Sequence, residues 1–168
     1  MFIQLIALLA ITGSPAPSPS APEGGACKAA SAHYQSTGSA GDRAELRFAK
    51  VQAADFKSDL ALGVRSAATK DFHWFLFDRG SARYLNLIST TDIKQPNWTA
   101  PTPDGGKRPL GEMHYIGLDS SLAQIDQIPD SGATAPNYIV LPDVQEVFVR
   151  RGDLLENVSS TTFKLTGC

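Results

Sequence analysis

Phe72-His73-Trp74-Phe75-Leu76-Phe77, a turn signal at Asp78-Arg79-Gly80-Ser81, and then Tyr84-Leu85-Asn86-Leu87-Ile88: the fold of the chain is decided by how this stretch is read. The first run is apolar on both faces, as in a strand covered from two sides. The second run follows after a short, turn-forming connection. Together they predict a β-hairpin at the heart of an antiparallel sheet.

Strand signals continue on either side. From Glu45 to Val51, Leu46 and Phe48 alternate with Arg47 and Ala49, which is the period of a half-buried strand. Phe56, Leu60 and Val64 recur at helical spacing, yet Leu60, Leu62 and Val64 also alternate. Gly63 sits badly in a helix interior and favours the strand. Met113 to Leu118, the apolar run Tyr138 to Leu141, and Thr162 to Thr166 read as further strands. Ser121 with Gln124 three residues on resembles a capping box, predicting a short helix through Leu122, Ile125 and Ile128 that Pro129 ends. Val144 to Arg150 fits either a strand or a helix. Lys28 to Gly41 is small and polar and is expected to wrap the surface. The predicted fold is therefore mainly β: an antiparallel sheet, either a sandwich or a curled half-barrel, with one or two short helices.

The start of the chain reads as an address. Phe2 to Ile11 is apolar and well short of the roughly 20 residues a membrane-spanning helix needs, and Pro15, Pro17, Pro19 and Pro22 follow it. Residues 1–26 are read as a signal peptide with a Pro-rich linker, although Met1 to Gln4 carry no Lys or Arg. The competing reading is a buried N-terminal element. Cys27 after Gly25-Ala26 superficially resembles a lipidation site, but a polar, Pro-rich stretch separates it from the apolar run. Residues 27–168 form one β-rich domain, expected to be secreted or periplasmic, with no transmembrane segment once the leader is removed.

Cys27 and Cys168 are the only cysteines. In an oxidising compartment they are expected to pair, closing a loop of about 140 residues, for which the chain-entropy model gives about 5 kcal/mol. With 15 Lys+Arg against 17 Asp+Glu, the chain shows no single-sign field that would draw nucleic acid.

Chemistry is sparse. His33, His73 and His114 have no metal-ligand spacing and stand near no Cys-x-x-Cys or acidic cluster, so no metal or cofactor is predicted. His73 lies within the aromatic strand and reads as a hydrogen-bonded core histidine. His114 follows a long Pro-rich loop, from Gln95 to Pro109, and Asp119-Ser120-Ser121 lies a little further on. That set allows a small hydrolase using His114 with Ser120 or Ser121, but it lacks the Gly-x-Ser-x-Gly elbow. Arg151-Gly152-Asp153 is expected to be a turn. Asn97-Trp98-Thr99 and Asn157-Val158-Ser159 match glycosylation acceptors that matter only in a suitable host, and Gly105-Gly106-Lys107 lacks the remainder of a phosphate-binding loop. Long loops in compact domains are often functional. Trp98, Lys107 and Arg108 on this one, with His114 beside it, are the candidate binding residues for a protein or glycan of the cell envelope, unless Trp98 folds back over the sheet edge. The first functional expectation is thus a binding or cell-envelope module, and the second is the hydrolase.

Overall fold

The computed structural model describes residues 26–38, 43–78, 84–102, 105–149 and 158–168. Residues 1–25, the hairpin tip at Arg79-Gly80-Ser81, Arg151-Gly152-Asp153 and the Asn157 acceptor lie outside these residues.

Strands β4 (His73–Asp78) and β5 (Leu85–Thr90) form the expected hairpin, with Leu76 opposite Ile88 and Phe77 opposite Leu87. Before them come β1 (His33–Ser36), β2 (Glu45–Lys50) and β3 (Leu60–Arg65), each antiparallel to the next. After them come β6 (Glu112–Leu118), the two-residue β7 (Gln124–Ile125), β8 (Tyr138–Val140), the helix α1 (Val144–Val149) and β9 (Thr162–Gly167). β5 pairs with β6, β6 with β8, β8 with β9, and β9 with β1. The sheet therefore closes on itself as an eight-stranded antiparallel barrel, with β7 an extra strand laid along β6. Closure leaves no long unpaired edge around the ring, which removes the usual route to edge-to-edge association.

Both faces of β4 are apolar because both are covered. Phe75 and Phe77 point inward with Tyr34, Leu46, Phe48, Leu62, Tyr115 and Phe163, all nearly inaccessible to solvent. Aromatic rings line up across this interior. Phe48 stacks on Phe77 with centroids 6.1 Å apart, while Tyr34 and Tyr115 meet the pair edge-on. Trp74, Leu76, Ala61 and Ile88 point outward, where Phe56 and the partly buried Ile93 and Trp98 cover them. The barrel interior is thus a packed core and not a lumen.

The two ends are closed differently. At one end α1 sets Val144, Val147 and Phe148 into the core, and the His73 ring meets Phe148 edge-on at 5.3 Å. At the other end the chain between β7 and β8 is tied down by backbone bonds from Ala135 N–H to the Cys27 carbonyl and from Ala29 N–H to the Ala133 carbonyl. The Cys27–Cys168 disulfide joins the first and last described segments there, with Cα atoms 5.7 Å apart.

Two sequence expectations change. The polar stretch after Lys28 holds β1, whose single apolar residue, Tyr34, is buried while its neighbours His33 and Gln35 are exposed. No helix opens at Ser121. The Asp119 carboxylate instead accepts hydrogen bonds from the N–H groups of Ser121 and Ala123 and from the Ser121 hydroxyl, bending the chain into the β6–β7 turn. A side chain that satisfies these donors locally stabilises the turn over a helical first turn. Leu122 takes φ 66° to complete it, an uncommon conformation for a leucine. The segment that fits either period at Val144 is helical, and Leu60 to Val64 forms the strand that its alternation favours.

The two inner phenols give a pH prediction. Burial pushes the pKa of Tyr34 up, and burial followed by the nearby Tyr34 does the same to Tyr115. Both folded values lie above the unfolded value of about 10, so their contribution to stability is complete below about pH 10 and is lost as pH rises past it toward the folded values. The urea midpoint is expected to hold steady up to about pH 9.5 and then fall. Two of the four tyrosines should ionise only as the barrel opens. Complete tyrosinate absorbance while the native near-ultraviolet spectrum persists would contradict this.

Candidate functional site

His114 is an outward-facing residue on β6, opposite Asn86 of β5. Beyond Ile116, β6 has β8 as its second neighbour, but β8 stops at Val140 and Pro142 turns the chain into α1. The backbone N–H of His114 would otherwise lack a strand partner on that side. The Asp143 carboxylate supplies one: its Oδ2 accepts the His114 N–H at 2.8 Å and lies 2.7 Å from His114 Nδ1. A carboxylate only accepts, so Nδ1 carries the proton in this contact and Nε2 is left to face outward. Asp143 thereby fixes both the tautomer and the direction of the ring. The exposed Tyr84 meets the ring edge-on at 5.7 Å.

Around this pair lies an open pocket of about 360 Å³, lined by Asn86, Glu112, His114, Asp143 and Glu146 with Pro109 and Leu110 at its rim. Glu112 is paired with Arg108. The lining is rich in carboxylates, and among the described residues it includes no hydroxyl or thiol. Such a surface accepts hydrogen bonds from a ligand better than it attacks one.

The other predicted residues are dispersed. Trp98 folds back onto the outer cluster and its indole N–H donates to the Thr90 hydroxyl at 2.9 Å. Arg108 reaches both Glu112 and the Thr102 carbonyl, pinning the far end of the loop to β6 close to His114. Lys107 is exposed. The described parts of the long loop are therefore anchored at both ends. Gly106, at φ 108°, lies close against Pro101, where a side chain would clash. Ser120 and Ser121 are not brought to His114. Four residues of strand, about 13 Å, separate His114 from Leu118, and both serines lie beyond it. His73 is half-buried between the core and α1.

Two features escape sequence reading. Asp143 lies 29 residues from His114, immediately before the segment whose period is ambiguous. The second is a shelf on the outer face of β2, β3 and β4. There Gly63 leaves room for the Phe72 and Trp74 rings to lie across the sheet, since a Cβ would stand 2.8 Å from Trp74 and 2.9 Å from Phe72. Arg47 stacks on Phe72 at 3.9 Å and Arg65 at 4.6 Å. Burial, then the neighbouring Arg65, lowers the Arg47 pKa. The guanidinium stems cover aromatic surface that would otherwise be wet. Alternation of Arg47 with Leu46 and Phe48 showed its outward direction, but its placement beside Gly63 needs the β2–β3 register.

Comparison with protein-family models, with curated proteins and with solved structures finds no match to this chain.

Proposed function

We propose that the protein is an exported binding module of the cell envelope that engages a hydrogen-bond-donating group of a protein or glycan at the His114 pocket. The observation that carries this is the Asp143–His114 pair: a carboxylate orients the imidazole so that Nε2 faces an open, acceptor-rich pocket. The arrangement sits on a rigid strand and a docked helix, as a pre-organised recognition site requires. Export is supported by the apolar leader and by the Cys27–Cys168 disulfide, a bond suited to an oxidising compartment.

The hydrolase reading keeps one observation in its favour, the same carboxylate–imidazole pair, which is half of a nucleophile-activating triad. The two readings respond differently to mutation. The immobilised domain is incubated with a solubilised envelope fraction, and the same preparation is assayed for hydrolysis of p-nitrophenyl acetate. The binding reading expects capture of a defined component to fall at least about tenfold in His114→Ala or on deletion of residues 102–107, with Ser120→Ala and Ser121→Ala unchanged in both assays. Ester hydrolysis abolished by either serine substitution would replace binding with catalysis. Capture that survives both His114→Ala and the loop deletion would remove the site.

A further inference from the structure

At the end of the barrel opposite α1, the chain between β7 and β8 arches over a second pocket of about 280 Å³. Its walls are mainly apolar, formed by Ile125, Ile128, Pro129, Ala135 and Pro136. Its inner end is Tyr115. The Tyr115 side chain leans along β6 across Gly117, its hydroxyl 3.2 Å from where a Cβ on residue 117 would stand, and Gly117 itself lines the pocket. Tyr115 is only 2% exposed, and its hydroxyl has no hydrogen-bond partner among the described residues. By contrast Tyr34, the neighbouring inner phenol, donates to the Pro136 carbonyl. A buried hydroxyl left without a partner costs free energy, and polar groups in that position are usually satisfied by something.

The walls are held in place before any ligand arrives. The Ser58 hydroxyl donates to the Pro129 carbonyl, Ser131 N–H donates to Asp59, and Lys28 donates to the Gly132 carbonyl. Ala135 is tied to Cys27, next to the disulfide. Pre-organisation of this kind lowers the ordering cost of binding.

We infer that this pocket binds a small neutral molecule with an apolar body and one hydrogen-bond acceptor, which accepts the hydrogen bond of the Tyr115 hydroxyl as its single polar contact. Three features fix the ligand class. A cavity of roughly 150 Å³ takes a benzene ring, so this one admits a ring with a short substituent. The lining includes Asp119 and, among the described residues, no Lys or Arg, which disfavours an anion. Burial keeps the phenol protonated and therefore a donor.

The test is a ¹H–¹⁵N titration of the oxidised full chain with acetophenone, with its isostere α-methylstyrene, which lacks the carbonyl oxygen, and with benzoate. Acetophenone is expected to move the amide resonances of residues 125–137 saturably. α-Methylstyrene should bind the same site about fivefold more weakly, the worth of one hydrogen bond, and benzoate should leave it unmoved. In Tyr115→Phe the first two probes should bind equally. Resonances that stay still up to the solubility limit of acetophenone would overturn the inference, as would equal binding of the two isosteres by the unaltered chain. The comparison within the unaltered chain decides the matter even if the variant fails to fold. Benzoate binding as tightly as acetophenone would overturn the assigned ligand class.

Discussion

Replacing both Cys27 and Cys168 with serine is expected to lower the stability of the folded barrel by about 3–5 kcal/mol while leaving its native spectrum almost unchanged. The two residues are 141 apart in sequence, so the bond removes much of the freedom of the unfolded chain. In the native state it adds little that the backbone does not already hold. His33 pairs with Gly167, and Ala135 is bonded to the Cys27 carbonyl, so the strand ends stay together without the sulfur atoms. The loss therefore acts mainly through the denatured ensemble. Urea unfolding of oxidised and double-serine protein would show this as a lower midpoint with a slope that is equal or steeper, because an uncrosslinked unfolded chain exposes more surface. Total stability of an ordinary domain is only about 5–15 kcal/mol, so unfolding at growth temperature becomes a real hazard for the reduced chain. Coincident midpoints for the two forms would show that the bond does not restrict the unfolded chain and would overturn this prediction.

Phe77→Ala should cost about 3–5 kcal/mol, the range expected for truncating a fully buried aromatic. Phe77 is fully buried and lies at the centre of the aromatic line, between Phe48 at 6.1 Å and Tyr115 at 5.1 Å. Truncation removes transfer free energy and leaves a cavity that the surrounding strands, fixed by ladder bonds on both sides, cannot readily collapse. Phe77→Leu, which keeps most of the volume, should cost less than about 1.5 kcal/mol if the core repacks around it. The comparison is made by equilibrium urea unfolding followed in the near-ultraviolet. A cost below about 1 kcal/mol for the alanine variant would mean that the interior is loosely filled, contrary to the packing described above.

Much of the barrel wall was legible because strand signals are local. Phe75 and Phe77 alternate with Trp74 and Leu76, and Leu46 and Phe48 with Arg47 and Ala49, so direction toward or away from the core follows from a period of two. β1 was not legible, since His33-Tyr34-Gln35-Ser36 offers one apolar residue and no alternation to count. The capping-box pattern Ser121 with Gln124 points to a helix, but Asp119 two residues earlier caps the same donors as an Asx turn, and the surrounding β6–β7 pairing selects the turn.

The candidate site was half legible. Sequence order puts His114 directly after the loop whose far end carries Arg108, and the structure pairs Arg108 with Glu112 two residues before His114. Asp143, which orients the imidazole, could be found only once β8 and α1 were in place.

Sequence by itself determined the antiparallel hairpin, the outward and inward faces of the principal strands, and the two cysteines available to join distant segments. Tertiary structure alone decided that the sheet closes through β5–β6 and β9–β1, that Trp98 covers the sheet while His114 faces a pocket, and that the buried Tyr115 hydroxyl, beside an apolar cavity, has no partner among the described residues. The reason is physical: side-chain direction along a strand is set by neighbouring residues, whereas pairing between strands and the lining of a cavity depend on groups many residues apart that only the closed barrel brings together.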